Sequence, residues 1–179
     1  MVDGFAPKWL ALGLVVGIYL LFLVLQRLDP GRANYAQFAG AYGVIRLAVL
    51  AVLVVLIGSG ALGVRAQGLP HMLVGALFLV IGSVLGKIRP NWFVGIRTPW
   101  TLASKRASVK THRLGGWLFV GWGLLELAAG RLLSPAGLLV LLGGGGVVVA
   151  ILLVYSYLMW RADPDKFLAV GTRPADVEL

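Results

Sequence analysis

Cysteine is absent from this 179-residue chain, so disulfides and thiolate-bound metals are excluded. Charge is scarce as well: Asp, Glu, Lys and Arg make up 13% of the residues against 59% that are hydrophobic, and the mean hydropathy is +0.91. A soluble globule of this length needs more polar surface than that. Acidic residues are the scarcest of the charged ones, 7 against 16 basic, which leaves a net charge of +9. No His-Glu-x-x-His, no Gly-x-Ser-x-Gly and no phosphate-binding glycine loop followed by Lys-Ser/Thr occurs, nor do two carboxylates share an apolar run. The expectation is therefore a protein that is not an enzyme and uses no metal or cofactor.

What is present is apolar sequence in long runs. Roughly 20 helical residues cross a hydrocarbon core, and five runs are read as spans: 9–25, 44–62, 71–85, 114–129 and 136–160. The third is the shortest and needs its flanks or a thinned bilayer; the fifth is long enough to tilt. The first continues into Gln26-Arg27 without a small-x-small site, so it reads as a retained span and not a cleaved leader. The 25 glycines fit this class, since membrane helices use glycine for close approach. The predicted fold is all-α, a polytopic transmembrane bundle of about five spans forming one integral membrane domain over residues 1–179.

Sidedness follows from the basic residues. Lys8, Arg65 and Arg131 fall on one side of such a bundle, and the remaining thirteen of the 16 on the other. The positive-inside rule then puts the N-terminus outside, and the long loop between spans three and four and the C-terminus in the cytoplasm. Basic residues beside anionic headgroups account for the net charge, so no direct nucleic acid binding is expected.

Shorter features refine the picture. Asp29-Pro30-Gly31 has the composition of a turn, and Tyr35, Phe38 and Tyr42 stand at helical spacing in a lead-in read as an interfacial aromatic belt. Arg46, within one turn of the inner end of span two, is expected to snorkel. Glu126 lies about 18 Å of helical rise beyond Leu114, near the outer boundary, where its carboxylate is placed to pair with Arg131 or to receive a cationic ligand. Gly13-xxx-Gly17 and Gly82-xxx-Gly86 are small-xxx-small faces, Gly115-Gly116 opens span four, and Gly143 to Gly146 marks close packing or a bend. His71 and His112 are expected at opposite faces of the membrane, too far apart to share a metal or a proton.

The loop between spans three and four is different in kind. Seven of the 16 basic residues lie between Lys87 and Arg113. Pro90-Asn91 begins a turn, Trp92, Phe93 and Val94 offer an apolar anchor, Gly95 permits a reversal, and Arg97-Thr98-Pro99 leads to a second aromatic at Trp100. Ser104 is placed to cap a helix that carries Lys105, Arg106 and Lys110 through Thr111-His112-Arg113 into span four. On residue chemistry alone this is either an interfacial hairpin stitching two spans together, or a site in which Asn91, Arg97, Thr111, His112 and Arg113 converge on an anionic headgroup or peptide carboxylate.

The run Lys87-Ile-Arg-Pro-Asn-Trp-Phe-Val-Gly-Ile-Arg-Thr-Pro-Trp-Thr-Leu102, followed by Lys110-Thr-His-Arg-Leu-Gly-Gly116, closely resembles the signature of the SdpI family. Leu28 to Tyr35 and Tyr42 resemble an earlier block of the same family, so the likeness extends over most of residues 26–130. It implies a multi-pass protein of the bacterial cytoplasmic membrane whose typical member gives immunity to a secreted sporulation-delaying peptide toxin and recruits a transcriptional repressor at the cytoplasmic face. The chain has the form of a short member without the N-terminal module of longer ones. It departs from the pattern at Lys105, Arg106 and Ser108, where the family usually has acidic residues and a Trp, and at Gly82-Ser83, usually Gly-Asn. The implied partners are the lipid bilayer, an antimicrobial peptide toxin and a repressor. The competing expectation is a lipid- or small-anion-binding protein or transporter subunit using the same loop.

Overall fold

The computed structural model describes residues 8–64, 68–132 and 143–166. Among these, all regular structure is helical: α1 (Lys8–Leu28), a 3-10 turn (Arg32–Asn34), α2 (Tyr35–Ala61), α3 (Leu69–Leu85), α4 (Pro99–Ala103), α5 (Lys105–Leu132) and α6 (Gly145–Arg161). Two stretches, Trp9–Leu28 and Arg32–Ala61, are long and apolar enough to cross a membrane, and Leu69–Leu85 and Gly145–Arg161 are shorter apolar helices. The expected runs 9–25 and 71–85 fall inside α1 and α3. The run 114–129 is the C-terminal part of α5, and of the run 136–160 only residues from 143 onward lie within the described set.

The largest departure from expectation is at the start of α2. The helix begins at Tyr35, nine residues before the apolar run, and bends at Phe38, whose φ of −132° and ψ of 24° are not helical. That bend turns the first helical turn inward. Tyr35, Phe38 and Tyr42 are therefore not an interfacial belt: they are 1%, 3% and 3% exposed and form the core with Ala41, Ile45, Val84, Leu85, Ile88 and Val94. Tyr35 and Tyr42 meet edge to face with ring centroids 5.2 Å apart, and Phe38 packs on Tyr35 at a tilt, centroids 4.8 Å apart. The Tyr42 hydroxyl donates to the Phe22 carbonyl, which ties α1 to α2. Helical spacing alone does not distinguish a belt from a core face, because the distinction lies in what packs against it.

Helices α3 and α5 run antiparallel and are the most closely packed pair among the described helices. A methyl group on Gly75 would come within 2.7 Å of the Gly123 carbonyl oxygen, and one on Gly82 within 2.8 Å of the Gly116 carbonyl oxygen. The reverse holds from Gly123 and Gly116, at 2.7 and 2.9 Å. Each helix thus carries two glycines seven residues apart, two turns of the helix, and each glycine faces one on its partner. Backbones meet with no side chain between them, the arrangement that small residues permit in helix packing. Gly13 and Gly17 on α1, by contrast, face nothing within 4 Å among the described residues. In the four-glycine run, Gly144 and Gly145 lie against the Trp122 ring, so close packing accounts for those two positions.

Candidate functional site

The polar residues that the chain buries are concentrated at the end where α3 stops and α5 begins. Among the described residues, Asp29, Asn91, Thr98, Thr101, Ser104, Ser108, Thr111, His112, Ser156 and Asp163 are all buried at that end, and only Glu126 lies toward the other end of α5. Large apolar side chains such as Trp9, Leu12, Leu62 and Trp117 are exposed.

The loop folds around Asn91. Its side-chain oxygen accepts the backbone N–H of Phe93 at 3.0 Å and of Val94 at 2.7 Å, while its amide nitrogen donates to the carbonyls of Arg89 at 2.9 Å and Val94 at 3.2 Å. All four hydrogen-bonding positions of the amide are used, so Asn91 is a structural pin with no capacity left for a ligand. Gly95 follows at φ +94°, a region that favours glycine. A side chain there would also strike His112, since a Cβ would sit 2.3 Å from its Nε2. The reversal at Gly95 lets Arg97 fold back, donating through Nε and Nη2 to the Val94 carbonyl.

His112 locks this turn to α5. Its Nδ1 stands 2.7 Å from the Ser108 carbonyl oxygen, an acceptor only, so Nδ1 carries the proton. Nε2 is then the lone-pair nitrogen and accepts the Ile96 backbone N–H at 3.0 Å, with Arg97 Nη2 at 3.3 Å. Burial, reinforced by the Arg97 charge, pushes the His112 pKa down to about 4, so the imidazole is neutral at physiological pH. Burial likewise lowers Arg97 to about 10, with Asp29 and Tyr35 acting in the opposite direction. Two polar atoms in this region are buried without a partner, Arg97 Nη1 and Thr111 Oγ1.

Helix α4 clamps the loop to α6. Thr98 and Thr101 form a reciprocal capping box, with backbone-to-hydroxyl distances of 2.9 and 3.1 Å, and Pro99 sits in the first turn, where a missing N–H costs nothing. Thr98 Oγ1 donates to Ser156 Oγ at 3.1 Å, and Trp100 packs edge-on against Tyr157 at 5.4 Å. Ser104 caps α5 as expected, accepting the Ala107 N–H at 2.9 Å, and its hydroxyl donates to Asp163.

Asp29 is the residue that sequence reasoning missed. It is 1% exposed and gathers the Gly31 N–H at 2.6 Å, the Tyr35 hydroxyl at 2.8 Å and the Trp92 N–H at 3.0 Å. Asn34 adds a bond from its amide to the Pro90 carbonyl at 2.7 Å. The first polar segment is therefore wired into the loop. Asp29 is one of only 7 acidic residues, the sole signal that set it apart from an ordinary turn.

Residues 87–156 match the model of the SdpI/YfhL protein family. The chain carries an SdpI/YfhL-family segment. No curated protein and no solved structure matches it. The family segment runs from Lys87 at the start of the loop to Ser156, the α6 residue that Thr98 engages, so it takes in the loop, α4, α5 and α6 as far as Ser156. The Asp29 block precedes it in sequence and is bound to it in space.

The remaining expected site residues are placed as follows. Trp92 and Phe93 are exposed at 46% and 45%, as an apolar anchor requires, while Val94 is buried. Lys110 is half-buried and Arg113 exposed. Arg113, with Gly82, Ser83, Gly86, Gly116, Trp117 and Val120, lines a groove of about 250 Å3 over the α3–α5 seam. His112 turns inward to the loop while Arg113 turns toward α3, so the five polar residues expected to converge on one anion do not form a single site. Glu126 is 0% exposed, and its partner is His71, with Nδ1 3.0 Å from Oε2. The side chain of Arg131, the expected partner, lies outside the described residues.

Proposed function

We propose that the chain is a multi-pass membrane protein of the bacterial cytoplasmic membrane, N-terminus outside and C-terminus inside, that acts in immunity to a peptide toxin or in the signalling coupled to it. The observation that carries this reading is the family match over residues 87–156, because it covers the folded loop and the helices clamped to it. Three further features support it. Apolar side chains are exposed along α1, α2, α3 and α6, which in water is unfavourable and in lipid is the ordinary state. Buried polar groups are gathered at the end carrying most of the basic residues. The α3–α5 glycine seam joins that end to the His71–Glu126 pair as one stiff unit.

In this reading the toxin, arriving from outside, first meets the end of the bundle that holds His71 and Glu126, and the loop is the inner, coupling end. The exposed Trp92 and Phe93 anchor the loop at headgroup depth, and a repressor held at the membrane contacts this face. Expression in a toxin-sensitive cell is expected to raise survival under the cognate sporulation-delaying-type peptide. The Arg97→Ala variant is expected to lose that gain at unchanged protein level. Equal survival with and without the protein across a panel of such peptides sinks the proposal.

A further inference from the structure

The His71–Glu126 pair sits among apolar helices, and among the described residues it is joined by no further ion pair. Within α3, the α5 segment 114–130, the α2 segment 47–64 and the α6 segment 143–154, His71 and Glu126 are the only ionisable residues. Arg65 and Arg131 flank the region in sequence, and their side chains lie outside the described residues. Glu126 is 0% exposed on the side-chain scale and His71 25%. One carboxylate oxygen, Oε2, is engaged by His71 Nδ1, and the other, Oε1, is buried without a partner. One turn inward on the same helix, Trp122 packs on Phe78 with centroids 4.3 Å apart, and Phe78 on Phe119 at 4.9 Å. The unpaired acceptor thus belongs to a side chain one helical turn from an aromatic cluster.

A buried carboxylate with an unused lone pair attracts a hydrogen-bond donor, and a cationic one most strongly. Among the described residues no group of three metal-ligating side chains exists, and His71 with Glu126 supplies too few ligands for Zn2+ or Ca2+. An organic ammonium needs only the carboxylate and gains from neighbouring π faces. We infer that Glu126 Oε1, beside His71 and on a side chain one helical turn from the Trp122–Phe78 cluster, is a binding site for a primary alkylammonium group, the group borne by lysine side chains and peptide N-termini.

Charge balance makes this an exchange. When His71 is protonated, the pair is neutral and the site has little use for a second cation. When His71 Nε2 releases its proton through the exposed part of the ring to solvent, Nδ1–H still donates to Oε2. Glu126 is then left with a full negative charge for the ammonium to neutralise. Proton and ammonium therefore compete for the pair, so acid weakens ammonium binding. The inference deepens the outer-end contact proposed above, but its readout involves no toxin and stands or falls separately from the survival assay.

The test is nitrogen NMR of the ring-15N-histidine-labelled full chain in nanodiscs. With only two histidines in the sequence, a His71→Gln control assigns the signals. Hexylammonium is expected to shift the His71 signals toward the neutral imidazole and lower their titration midpoint. Hexanol, which partitions similarly but carries no charge, is expected to do neither, and Glu126→Gln is expected to abolish the response. The buried His112 signals report in every sample whether the fold is intact. A His71 titration unmoved by hexylammonium, or moved equally by hexanol, overturns the inference in the wild type alone, even if Glu126→Gln does not fold. An undiminished response in a folded Glu126→Gln protein overturns it as well.

Discussion

His112 is held neutral by burial, reinforced by the Arg97 charge, against the opposing pull of the Ser108 carbonyl, and this fixes the sign of its pH dependence. Its pKa falls from 6.5 to about 4 on folding, so between those values the unfolded chain binds the extra proton. Stability is at its full value above about pH 7 and is lost as pH falls from 6.5 toward 4, by roughly 3 kcal/mol for a group this deeply buried. Thermal unfolding in detergent is expected to show a Tm that declines across this window, with the decline flattened in His112→Gln. A wild-type Tm that is level from pH 7 to 4.5 contradicts the assigned tautomer and burial. At this scale the sequence was partly readable. The Asn91 turn, the Gly95 reversal and the Ser104 cap follow from local chemistry, because each partner is a few residues away. The bonds of Asp29 to Trp92 and of Ser104 to Asp163 join residues 63 and 59 positions apart, and no local rule predicts such pairings.

Among the elements, α3 and α5 carry the sharpest prediction. Their four facing glycines leave no room for a side chain, so Gly82→Leu is expected to force the helices apart. Overpacking of this kind typically costs about 1–3 kcal/mol, and a lowered Tm in detergent measures it. Gly13→Leu serves as the matched comparison, since that position faces nothing within 4 Å and its Tm is expected to stay near wild type. Equal loss at both positions would falsify the seam as the structural axis. Composition made glycine-mediated packing foreseeable in general. It pointed to Gly13 and Gly17 as readily as to Gly82 and Gly86, because spacing marks a smooth face and leaves open which helix lies against it. For the same reason the Tyr35, Phe38 and Tyr42 series was legible as one face and mistaken in its environment.

For the molecule as a whole, topology is the property to test. The absence of cysteine makes single-cysteine mapping direct. Leu62→Cys, at the exposed end of α2, is expected to react with a membrane-impermeant maleimide in intact cells, and Lys105→Cys only after lysis. A reporter fused after Leu179 is expected to be active only in the cytoplasm, and the opposite labelling pattern would invert the orientation. The apolar runs, the charge asymmetry and the signature of the loop are all written in the chain itself. They determine an all-helical, lipid-suited protein with a special segment between residues 87 and 113, since hydrophobicity and local turn chemistry act on each stretch independently. Only the tertiary structure decided that Asp29 anchors that segment, that His112 faces the loop while Arg113 faces α3, and that Glu126 is matched to His71. Each of those depends on which helices pack together and in what register, and in this chain the register is set by paired glycines whose spacing is informative only once the partner helix is known.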